Sequence, residues 1–108
     1  MESLHINANN LSEVEDDVLA WAVVRIKTVK LGGTRLTRAH STLLIQTVLE
    51  EKELVMENLD LWNNDLSELD DQQLAMAVVR MKTIELSNSC LTTAQVTTLL
   101  QAILAEKV

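Results

Sequence analysis

Residues 59–69 read LDLWNNDLSEL, from Leu59 to Leu69. Leu59 and Leu61 alternate with Asp60 and Trp62, the period of a strand buried on one face. Leu66 resumes the apolar side after Asn64. The alternation places Trp62 on the side that the leucines leave open, although the chain has no Phe or Tyr and only two Trp. A large aromatic on that side needs a reason.

The same pattern occurs four times. Leu4-x-Ile6-x-x-Asn9-x-Leu11 returns as Val29-x-Leu31-x-x-Thr34-x-Leu36, as the stretch just quoted, and as Ile84-x-Leu86-x-x-Ser89-x-Leu91. An apolar residue stands three before each unit: Met1, Ile26, Met56 and Met81. Sliding Ile6 onto Leu61, a shift of 55 residues, aligns the two halves with about half of the pairs identical. Residues 1–53 and 56–108 are therefore two copies of one unit pair, with repeats near 1–25, 26–55, 56–80 and 81–108. With no Pro in the chain and no Gly-rich linker, a single domain over 1–108 is expected. Successive second anchors are 25, 30 and 25 residues apart, and the surplus at Glu50–Val55 is expected to lengthen a helix.

After each strand the period changes to that of a helix. Leu19, Ala22, Val23 and Ile26 form an i, i+3, i+4, i+7 stripe, repeated by Leu74, Ala77, Val78 and Met81. Ser41, Leu44, Ile45 and Val48, and then Val96, Leu99, Leu100 and Ile103, do the same in the other two units. Ser12-x-x-Glu15, Ser67-x-x-Asp70 and Thr92-x-x-Gln95 read as capping boxes or close variants. Four strand–helix units in one direction predict parallel strands, because each helix supplies the crossover that a parallel pair requires.

The recurring LxLxxNxL with an intervening helix resembles the leucine-rich repeat, in its ribonuclease-inhibitor-like subclass. That resemblance covers the whole chain. It implies an α/β fold: a short right-handed solenoid of four strand–helix units, with a parallel sheet on the concave face and helices on the convex face. It also implies that Asn9, Thr34, Asn64 and Ser89 occupy the position that ties neighbouring turns together, and that partners are proteins bound on the concave face.

Composition narrows the function. A formal net charge of −7 speaks against a general binder of nucleic-acid phosphates. Cys90 is alone, which removes any intrachain disulfide and any multi-cysteine metal site. No basic segment precedes an apolar run and no spanning-length apolar stretch occurs, so a cytoplasmic protein with no membrane role is expected. His5 and His40, the only histidines, fall on opposite faces, and Gly32-Gly33 lacks the Lys and spacing of a phosphate loop. The acids Glu13, Glu15, Asp16, Asp17, Glu68, Asp70 and Asp71 read as charge at helix starts. Neither enzyme activity, cofactor nor metal is expected.

The open face remains. Comparing the two copies, the buried anchors repeat almost unchanged, while every open-face pair differs: His5 against Asp60, Asn7 against Trp62, Lys30 against Glu85, Gly32 against Ser87. Such individualised surface on a fixed scaffold suggests a non-catalytic protein-interaction module, with His5, Asn7, Lys30, Asp60, Trp62, Glu85 and Ser87 as the recognition residues. Trp62 beside two carboxylates suits a basic partner segment. The alternative is a structural fragment or self-assembling unit of a longer array. Leu4, Ile6, Trp21 and Leu104 are expected to mark apolar ends or flanks available for self-association, with a homodimer joining equivalent ends.

Overall fold

The computed structural model describes residues 1–106. Strand and helix alternate along the chain: β1 (Ser3–His5), α1 (Asp16–Val23), β2 (Thr28–Lys30), α2 (Arg38–Glu50), β3 (Asn58–Asp60), α3 (Asp71–Val78), β4 (Thr83–Glu85) and α4 (Thr93–Glu106). The strands form one parallel sheet in sequential order, β1-β2-β3-β4. Leu4, Val29, Leu59 and Ile84 are partners in register across it. These central residues pack toward the helices in one apolar cluster with Leu19, Val23, Leu44, Val48, Leu74 and Val78. The helices follow one another as the strands do, α1 on α2, α2 on α3 and α3 on α4. None of them is long and apolar enough to cross a membrane.

Each strand is only three residues long, but backbone pairing continues beyond it. Leu31 N donates to Asp60 O at 2.8 Å and Gly33 N to Trp62 O at 2.6 Å, and the same bonds recur between the third and fourth units. The chain then turns through a left-handed residue at the same place in every unit, Ala8, Gly33, Asn63 and Asn88, with φ between 56° and 64°, and through a second, Arg35 and Cys90, in the second and fourth units. Gly and Asn adopt that conformation readily, whereas Ala pays for its Cβ. Ala8 is exposed and loses no packing if trimmed. Ala8→Gly should therefore raise stability by about 0.5–1 kcal/mol, read as a higher melting temperature. No gain would mean that the first turn is not held in this conformation in solution.

The helix starts correct the sequence reading in two of three places. Thr92 and Gln95 do form a full capping box: Gln95 N donates to Thr92 Oγ1, and Thr92 N to Gln95 Oε1. Ser12 and Ser67 cap nothing. Ser12 N donates to Asn10 Oδ1, and Ser67 donates from both N and Oγ to Asp65 Oδ1, with the Ser67 hydroxyl foremost in holding that carboxyl below its usual range. The chain makes a further turn there, with Val14 N bonded to Leu11 O and Leu69 N to Leu66 O, so each helix begins three residues later than its serine suggested. The caps are Glu15 and Asp70. Asp70, of the preferred side-chain length, accepts from Gln73 N; Glu15 makes no such bond.

A second correction concerns the surplus residues. The helix does not run on through Glu50–Val55; α2 ends at Glu50 with Glu51 extended. Arg80, following α3, donates one guanidinium nitrogen to Val48 O and the other to Glu51 O at 2.6 Å. A guanidinium on otherwise unpaired helix-end carbonyls terminates α2 and ties the third unit to the second. The stripe in α1 also shifts: Ala20, not Ala22, is buried beside Leu19 and Val23.

Candidate open-face site

Because the central strand residues point into the core, their neighbours on either side form rows on the open face. The middle row is His5, Lys30, Asp60 and Glu85, in register across the sheet. A shallow depression of about 350 Å³ is lined by Thr28–Lys30, Asn58–Asp60 and Thr83–Glu85. Its charge runs from Lys30 to the two acids, and none of the three is within ion-pair distance of a partner among the described residues.

A further row, one alternation earlier, escaped the sequence reading. Asn58 Nδ2 donates to Thr28 Oγ1 at 3.0 Å, and Thr83 Oγ1 donates to Asn58 Oδ1 at 2.5 Å. This hydrogen-bonded chain of short polar side chains floors one end of the depression. The period-2 pattern would have found it if extended two residues toward the N-terminus. Before it lies a row of alternating sign, where Glu57 pairs with Lys27 at 3.8 Å and Lys82 at 4.0 Å. Exposed pairs of that kind add little stability.

Three of the seven expected recognition residues have a structural duty. Asp60 Oδ1 accepts Trp62 N, and Glu85 Oε1 accepts Ser87 N, each at 2.8 Å. The Ser87 hydroxyl, then its N–H, keeps the Glu85 carboxyl below the usual range. Lys30 cannot accept a hydrogen bond. In its place Asn7, from the neighbouring unit, takes Gly32 N on its Oδ1 at 2.7 Å. The adjacent acids, expected from sequence as recognition residues, thus also hold their own turns, and Asn7 belongs to turn support rather than to a free surface.

Trp62 is 46% exposed. Its base lies against Gly32, where an added Cβ would stand 3.3 Å from Trp62 Cβ and 3.2 Å from Trp62 O. Its six-membered ring reaches Gly33, with Cζ3 at 3.8 Å from the position of a Cβ there. Gly32 gives the ring no room to move, because it is buried where two backbones meet. The ring rests on the glycine pair and shows its remaining surface to solvent.

The remaining expected residues separate. His5 and Ser87 are exposed on the sheet's outer units. His40 lies far from the open face, buried between α2 and the first unit. Cys90 is a free, exposed thiol. Among the described residues, no three His, Cys, Asp or Glu side chains converge as a metal-ligand set. No family model, curated protein or solved structure gives a significant match to the chain.

Proposed function

We propose that the chain is a short leucine-rich-repeat solenoid that binds a basic segment of a partner protein on its open sheet face, without catalysis. The observation that carries this is Trp62: a half-exposed indole beside Asp60, with Glu85 on the next strand. An Arg or Lys side chain can stack on such a ring and pair with a carboxylate in the same contact. Trp is also among the residue types most enriched at binding hot spots. Asp60 and Glu85 each spend one oxygen on their own turns, which leaves the other for a ligand.

The test uses the chain's scarcity of aromatics. In a Trp21→Phe background Trp62 is the sole tryptophan. Its fluorescence should respond saturably to Arg-rich peptides and not to their uncharged counterparts. Trp62→Ala, followed by a label on the peptide, should weaken binding by about 2 kcal/mol or more, some 30-fold, while the melting temperature stays nearly unchanged. A variant that melts several degrees lower yet keeps full affinity would assign Trp62 to packing alone and sink the open-face reading.

A further inference from the structure

We infer that the outer faces of the first and fourth units are complementary halves of one interface, and that a second copy of this chain occupies it head to tail. This goes beyond the open-face reading and does not depend on it. The template is the junction between the two internal copies, where the third unit sits on the second. There β3 pairs with β2, Glu57 N donates to Lys27 O, and Arg80 grips the C-terminal carbonyls of α2. Asn64 bonds Leu31 O and Leu36 N, and Glu57 pairs with Lys27.

A shift of 55 residues carries every one of these groups to the first or the fourth unit. On the first unit Arg25, Asn9 and Glu2 stand where Arg80, Asn64 and Glu57 stand inside. Arg25 turns back to Trp21 O and Asn9 to Ile6 O and Asn7 O, all within their own unit. On the last unit the carbonyls of Ile103 and Glu106, together with Lys82, occupy the places of Val48, Glu51 and Lys27. The apolar surface matches too. Met1 is 85% exposed where Met56 is 1%, and Leu100 is 55% exposed where Ile45 is 2%. In the internal junction each of these donors meets its acceptor across the contact, and Glu57 meets a Lys of opposite charge.

Joining equivalent ends, the arrangement expected from sequence, would set Arg25 against Arg25 and bring like strand edges together antiparallel. Nothing in the internal junction prepares that contact. Head to tail, β1 of one copy extends the parallel sheet after β4 of the next, with Leu4 in register with Ile84 as Leu59 is with Val29. Trp21 drops out of the interface. Its counterpart Met76 has a unit on either side and is still 56% exposed, the same as Trp21. A heterologous contact of this kind does not close on two subunits, so it adds copies in a row.

The test is directional cross-linking. In a Cys90→Ser background, Ser3→Cys and Thr83→Cys place thiols at positions that mimic Asn58 and Thr28, which are partners in register. Neighbouring parallel strands hold paired Cα atoms about 4.8 Å apart, within reach of a disulfide. Within one copy the two positions lie on opposite edges of the sheet, beyond that reach. Mild oxidation of the double variant should give a ladder of dimer, trimer and tetramer on a non-reducing gel. Each single variant alone should stay monomeric, and a mixture of the two should stop at dimer. Adding Leu100→Asp, on solvent in a single copy, should abolish the ladder while circular dichroism remains that of the folded chain. Dimers formed by either single variant alone would overturn the proposal in favour of like ends. A folded double variant that gives no ladder, with a monomeric mass by light scattering at high micromolar concentration, would overturn it outright.

Discussion

Asn64→Ala should lower the unfolding free energy by about 3 kcal/mol and the melting temperature by about 12 °C or more. Asn64 is 3% exposed, and its amide serves two turns at once. Oδ1 accepts Leu36 N at 3.1 Å, while Nδ2 donates to Leu31 O at 2.8 Å and to Leu61 O at 3.3 Å. Truncation leaves the Leu36 N–H without its partner in a buried loop, removes two further bonds and opens a small cavity. Leu31 O is less affected because the Thr34 hydroxyl also donates to it, at 2.7 Å. The decisive comparison is Asn9→Ala. Asn9 holds the same place in the first unit, but it is exposed and bonds only within its own turn. Its truncation should cost less than about 1 kcal/mol in the monomer. Equal losses at the two positions, measured by urea unfolding at low protein concentration, would refute the account of Asn64 as a bridge between units.

The second large effect is expected at His40, where Ala should cost about 2–4 kcal/mol and Gln less than about 1. His40 is 1% exposed. Its Nδ1 accepts the cap N–H of Thr37 at 3.0 Å, which leaves the ring proton on Nε2 to donate to Val14 O at 2.5 Å. Asp16 lies 3.3 Å from the same nitrogen. Gln95 performs these tasks in the second copy: Oε1 takes Thr92 N, and Nε2 donates to Leu66 O and Leu69 O. Leu69 is the counterpart of Val14, so one clasp is built once from an imidazole and once from an amide. Alanine breaks both ends of it and empties the space of the ring. Glutamine keeps both ends. If Gln proved as damaging as Ala, the contribution of His40 would be its ring volume rather than its two hydrogen bonds.

That pair shows how far the sequence could be read. The alignment set His40 against Gln95 plainly, but the bonds that make them equivalent run to Val14 and Leu69 in the preceding unit. No local pattern names those partners. The missed cap at Thr37–His40 has the same origin, since His is not a residue that the Ser/Thr-x-x-Glu/Gln signature admits. Likewise, the open-face row was placed correctly by alternation, yet Asn7, Asp60 and Glu85 looked free because backbone N–H groups leave no trace in composition. Ser12 and Ser67 misled for the converse reason: a serine's hydrogen bond in a turn and at a helix cap look alike until the chain's path is known.

Sequence by itself determined the unit, its four occurrences and its duplication, because strand and helix periods are local consequences of which face is buried. It also determined that Leu59 and Leu61 turn inward and that Asp60 and Trp62 do not. Only the tertiary structure decided what each polar group does. Asn64 bridges units while Asn9 serves itself, Arg80 ends a helix while Arg25 turns back on its own, and Met56 is buried while Met1 is bare. These residues are equivalent in sequence and differ in whether a neighbouring unit is there to receive them. Hydrogen bonding and burial are settled by that neighbour, across 25 to 33 residues of chain.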